Sequence, residues 1–176
     1  ERPEIDGIDI CAPHWYGNES ELESDRVTAG SRAAHKRFGK PVVYGEQGNH
    51  RGLDDRSGEG IGGVWDPGSA RRMRVRCWTA LFREICFVFW GTSDAKDGHS
   101  MNIWIGPQER QYIRAMKDFA NRLDSDVKMA EVSLAGPEAG QVRAYGLSST
   151  MRAAAYLHHF GCAQCDADDR SGKHRW

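Results

Sequence analysis

Glu46 stands at the end of a short apolar run, Lys40-Pro-Val-Val-Tyr-Gly-Glu-Gln-Gly48. A carboxylate there is either a surface charge paired with a nearby arginine or a group that reacts. Two other apolar runs end in side chains that matter to a reacting acid: Cys11-Ala-Pro-His-Trp-Tyr16 and Cys86-Phe-Val-Phe-Trp90. Side chains alternate across a strand. Counting back from Glu46 places Tyr44 and Val42 on its face. His14 goes with Ala12 and Ile10, with Tyr16 next in line, and Trp90 goes with Val88. If the three runs are parallel neighbours, their ends gather one carboxylate, one imidazole, one phenol and one indole around a single mouth. That set suits sugar chemistry. The indole offers a flat apolar platform for a pyranose, and the phenol and imidazole hold the carboxylate ionised and oriented.

A second constellation is Cys162-Ala-Gln-Cys165, flanked by His158, His159, Asp166 and His174. CxxC beside histidines can bind zinc. There is no second CxxC, however, and the histidine spacing fits no standard finger. A disulfide or two idle thiols is the plainer reading, and no metal is assigned.

The elements that must position the first set read as strand, loop and helix in repetition. A strand is expected at residues 8–12, followed by a helix in the second half of residues 20–38. Another strand is expected at 41–44, then a loop at 49–65 rich in Gly, Asp and Arg. Asp66 and Pro67 suit the cap and first turn of a helix. Its apolar positions Met73, Cys77, Trp78, Leu81, Phe82 and Ile85 recur at three- and four-residue steps. Residues 86–90 are apolar at every position, which predicts a strand buried on both faces. After a loop at 91–106, Pro107 opens a helix whose buried face would carry Tyr112, Ile113, Met116, Phe119 and Leu123. This order predicts an α/β fold with a parallel sheet and crossover helices. Asn49, His50, Asp54, Asp55, Asp94, Asp97 and His99 fall in the loops around the mouth.

The character changes near residue 131. Residues 135–140 look like a linker and 141–147 like a strand. Residues 151–160 are ambiguous, because three consecutive alanines favour helix. The division expected is residues 1–130 and residues 131–176, the latter ending in a loose charged tail.

The 176 residues carry 24 basic and 25 acidic side chains, a net charge of −1. That balance gives no electrostatic case for nucleic acid or a membrane surface. No stretch approaches the roughly 18 apolar residues of a membrane helix, and none reads as a signal peptide. The hydrophobic share of 39% suffices for a packed core. Cys11, Cys77 and Cys86 sit among apolar neighbours and are expected to be buried thiols.

The three motifs in this order resemble the sixth, seventh and eighth strands of glycoside hydrolase clan A, in particular family-5-like cellulases and mannanases. The resemblance spans residues 5–123. It implies strands 6–8, with their helices, of a (β/α)8 TIM barrel that cleaves β-linked glycosides with retention. It further implies that Glu46 is the catalytic nucleophile, that the Tyr16 phenol hydrogen-bonds it, that His14 positions it, and that Trp90 lines the sugar subsite. No cofactor is implied, because two carboxylates carry the reaction. The Asn-Glu that supplies the second carboxyl at the fourth strand in that clan has no counterpart, since Asn18-Glu19 follows the His-x-Tyr instead. A whole barrel takes about 250 residues. The expected partners are therefore an oligosaccharide or polysaccharide and the N-terminal half of a barrel. The expected setting is secreted or extracytoplasmic, where polymeric glycans lie. Residues 142–160 resemble the opening of the small β-sandwich that follows the barrel in some of these hydrolases, which would make 151–160 a strand. A non-catalytic carbohydrate-binding protein and a degenerate barrel serving as a scaffold are the alternatives.

Overall fold

A computed structural model describes residues 7–16, 22–48, 68–90, 92–94, 101–103, 106–137 and 139–160. The chain is a mixed α/β protein. Its first sheet is parallel, with strand order β1-β2-β3 formed by His14–Tyr16, Val42–Gly48 and Ile85–Trp90. Helix α1 (Ser24–His35) joins β1 to β2, and α2 (Ser69–Phe82) joins β2 to β3. A short hairpin follows, β4 (Thr92–Asp94) antiparallel to β5 (Met101–Ile103), and then α3 (Pro107–Ala120). Three antiparallel strands close the described chain: β6 (Lys128–Ala130), β7 (Val142–Ser148) and β8 (Ala153–His159). This meander takes in Lys128, ahead of the division expected at residue 131.

The first strand lies later than the predicted 8–12. Cys11 makes a single parallel bridge to Val42, with its N–H bonded to the Pro41 carbonyl at 2.9 Å. The ladder then skips to His14, since Pro13 has no N–H to donate. The first helix occupies most of its predicted segment rather than the second half, and ends in a 3-10 turn at Lys36–Phe38. Asp66 and Pro67 lie outside the described residues. Gly68 holds the cap position of α2 without a side-chain bond, and its carbonyl accepts from Arg72 N–H at 2.9 Å. The hairpin β4/β5 occupies part of a segment expected to be loop. Helix α3 begins at Pro107 as predicted, where the missing N–H costs nothing. Its apolar face is only half covered, however, and Ile113 is exposed.

One face of the parallel sheet packs on the helices. Cys11, Val42, Tyr44, Ala80 and Ile85 form that core, with Phe38 and Phe87 against it. Burial of the other face of β3, predicted from its unbroken apolar run, is not found. Val88 is 50% exposed and Cys86 is exposed, as is Ile10 ahead of β1 at 49%. The helices cover one side of the sheet, and among the described residues no layer covers the other. Cys86 is thus not the buried thiol expected, whereas Cys11 is buried. Cys77 is half-buried, and burial pushes its thiol up to about 12.

A second core joins α2 and α3 to the meander. Phe82, Tyr145 and Leu147 are buried there, and Trp78, Phe119, Leu123 and Tyr156 pack around them. Trp78 stacks on Tyr156 with centroids 5.9 Å apart, and Phe82 on Phe119 at 5.6 Å. Packing overrides the helical propensity of the three alanines. In β8 the residues Ala154, Tyr156 and His158 turn inward, while Ala153, Ala155 and Leu157 face out. Among the described residues no helix is long and apolar enough to cross a membrane.

Candidate functional site

Strand β2 carries one residue more than either neighbour. Against β3, Tyr44 pairs with Phe87 but Gln47 pairs with Phe89, so Gly45 and Glu46 together oppose Val88. Against β1, Val42 meets Cys11 while Glu46 meets His14, four steps on β2 for three on its partner. Both neighbours therefore report the same β-bulge, centred on Gly45 and Glu46. A bulge bends the strand and re-aims its side chains.

Here it changes which face Glu46 occupies. In a regular strand Glu46 would follow Val42 and Tyr44 into the helix-packed core, where both are fully buried. That grouping, expected from simple alternation, is wrong because the extra residue shifts the alternation by one. Glu46 instead lies on the open face of the sheet, beside His14. Its Oε2 is 3.8 Å from His14 Nδ1, with the side chains 32% and 53% exposed respectively. The distance is that of an ion pair when the imidazole is protonated, and is too long for a direct hydrogen bond.

Tyr16 and Trp90 are placed by register. Tyr16 pairs with Gly48 from one side and Trp90 pairs with Gly48 from the other, so the three form the row just beyond the bulge. The parallel order of the three strands brings the ends of all three to one edge of the sheet, as expected. Of the loop residues named from the sequence, Asp94 lies in β4 opposite Met101. Asn49, His50, Asp54, Asp55, Asp97 and His99 lie outside the described residues.

Cys162, Cys165, Asp166 and His174 also lie outside the described residues. His158 is engaged elsewhere. Its Nε2–H donates to the Leu22 carbonyl at 2.9 Å and lies 3.7 Å from Asp25 Oδ1. Among the described residues no group of His, Cys, Asp and Glu is arranged to hold a metal ion.

The sequence reading missed the polar cluster around Asp25. This carboxylate is wholly buried at the start of α1. Arg143 reaches it with Nε to Oδ2 at 2.6 Å and Nη2 to Oδ1 at 2.8 Å, and Tyr145 Oη donates to Oδ2 at 2.6 Å. Arg143 also donates to Glu23 Oε1 at 3.3 Å and to the Leu22 carbonyl. Arg143 and Tyr145 share a face of β7 by alternation, and His158 is the register partner of Arg143. That alternation is the one sequence signal that pointed to the cluster.

No family model, curated protein or solved structure matches the chain.

Proposed function

We propose that this chain supplies the nucleophile of a retaining β-glycoside hydrolase, as strands six to eight of a (β/α)8 barrel completed by a polypeptide segment outside the chain. The observation that carries the reading is the bulge, which turns a carboxylate out of the helix-packed core and sets it beside His14 at the ends of parallel strands. Bulges of this kind are over-represented beside active sites, where they re-aim a side chain. The exposed apolar residues Val88 and Ile10 on the same face fit a barrel interior that further strands would cover.

In this reading a Glu46 oxygen attacks the anomeric carbon as the bond to the leaving oxygen breaks. The second carboxyl, roughly 5–5.5 Å away and carried by the completing segment, gives that oxygen its proton. It then takes a proton from water, and the water oxygen displaces Glu46 from the sugar. His14 positions the nucleophile, Tyr16 donates to it, and Trp90 floors the subsite. The substrate is a β-linked oligosaccharide or polysaccharide.

The test joins the chain to a complementing barrel half, in cis or in trans, and treats it with 2-deoxy-2-fluoro-β-glycosyl fluorides, whose leaving group needs no acid. Peptide mapping should find the label on Glu46. Turnover of aryl β-glycosides should fall by about 10³-fold or more in Glu46→Gln, with sugar binding retained. The isolated chain should give no turnover. Label on another residue, or unchanged turnover in the variant, would remove Glu46 from the mechanism. Binding without turnover in the unaltered assembly would favour a carbohydrate-binding protein.

A further inference from the structure

Gly45 and Gly146 lack a positive φ yet leave no free room for a Cβ, and at Gly45 the crowded group is the His14 ring. Gly7, Gly39 and Gly136 have positive φ and open space where a side chain would begin, so backbone conformation accounts for them. Gly45 has no such φ. A Cβ built there would lie 3.1 Å from His14 Nε2 and 3.5 Å from His14 Cδ2. Among the described residues the ring is the only group that it would crowd. The opposite edge of the same ring carries Nδ1, 3.8 Å from Glu46 Oε2.

We propose that Gly45 is a positioning residue: by lacking a side chain it leaves the slot in which the His14 imidazole lies with Nδ1 toward Glu46. Residue 45 follows the core-facing Tyr44 and takes the open face by alternation, while the bulge adds Glu46 to that face. Both positions meet the same His14 ring, and glycine leaves it room. A methyl group at this position makes the ring give way by a few tenths of an ångström, and the Nδ1 to Oε2 relationship shifts with it. The consequence for catalysis rests on Glu46 being the nucleophile, whereas the geometric claim does not.

The experiment therefore reads the ring itself. Nitrogen-15 spectra of the His14 imidazole are recorded at one pH for the full chain, Glu46→Gln, Gly45→Ala and the double variant. With Gly45 present, Glu46→Gln should shift the His14 ring nitrogens, Nδ1 more than Nε2. In the Gly45→Ala background, the same substitution should shift them measurably less. An equal response in both backgrounds would overturn the proposal. Urea unfolding of Gly45→Ala with and without His14→Ala gives a second reading. The midpoint lost on adding the methyl group should return when the imidazole is absent, even if Gly45→Ala alone folds poorly. An equal loss in both backgrounds would assign Gly45 to the backbone and end the proposal. A chain that passes both tests but shows no label on Glu46 in the reconstituted assembly would keep the positioning and lose the hydrolase.

Discussion

Arg143 on β7 and Asp25 at the start of α1 are 118 positions apart and meet in a two-point ion pair, with bonds of 2.6 and 2.8 Å. The carboxylate is fully buried and the guanidinium partly so, with the Phe160 ring 3.9 Å from its carbon. This pair ties the helix layer of the parallel sheet to the antiparallel meander. Removing one partner strands a buried charge, which typically costs about 3–5 kcal/mol. Arg143→Met should lower unfolding stability by about that amount in urea titrations. Tyr145→Phe, which removes one hydrogen bond to a charged group, should cost about 1.5–3 kcal/mol. A loss under about 1 kcal/mol in Arg143→Met would show that the pair does little to hold the two sheets together.

Glu84 follows α2 with a φ of 52°, in the left-handed region where a Cβ is strained. Its carboxylate accepts from Met129 N–H at 3.0 Å and lies 3.6 Å from Arg32 Nη2. Glu84→Ala keeps the strain and discards both contacts, whereas Glu84→Gly discards the strain as well. The glycine variant should therefore be the more stable of the two by about 1 kcal/mol. The reverse order in thermal melts would mean that the backbone there carries no strain.

Gly146 sits in β7 where a Cβ would come within 2.6 Å of both the Ala130 carbonyl oxygen and Val132 Cγ2. The first is backbone and cannot swing aside. Gly146→Ala should separate β6 from β7 and cost about 1–3 kcal/mol, with faster amide exchange at Ala130 than in the unaltered chain. Native exchange there would contradict the packing.

Alkaline pH should unfold the protein through groups held neutral. Burial is the leading cause that raises Tyr44, Tyr145 and Tyr156 above 10.0 and Cys77 from 9.0 to about 12. Below about pH 9 both folded and unfolded chains keep these protons, and the stability is intact. As pH climbs past about 9 and then 10, the unfolded chain ionises first. Each group then steepens the loss by up to about 1.4 kcal/mol per pH unit until its folded value is passed. The urea midpoint should hold to about pH 8 and fall progressively above about 9, with Cys77→Ser delaying the onset. A midpoint constant to about pH 11 would refute this.

The order and direction of the first three strands were legible because each apolar run is followed by a helix of matching period. The face of Glu46 was not. Alternation counts residues along one strand, and only the neighbouring strands reveal that β2 holds one too many. The exposure of Val88 and Cys86 was hidden for a related reason: an apolar run states a preference for burial and is silent about what lies opposite. The three alanines of β8 carry weak preferences of their own, so the aromatic stack of Trp78 and Tyr156 decides their conformation. Asp25 was passed over, because its partners arrive from more than a hundred residues downstream.

Among the described residues, strand β8 lies at the margin of its sheet and turns Ala153, Ala155 and Leu157 outward, the last at 57% exposure. Backbone groups on such a margin accept any extended segment that offers a matching apolar stripe. In concentrated solution this is where chains should first recognise one another. Ala155→Lys, midway along the stripe, should keep the preparation monodisperse without touching the Glu46 and His14 end of the parallel sheet.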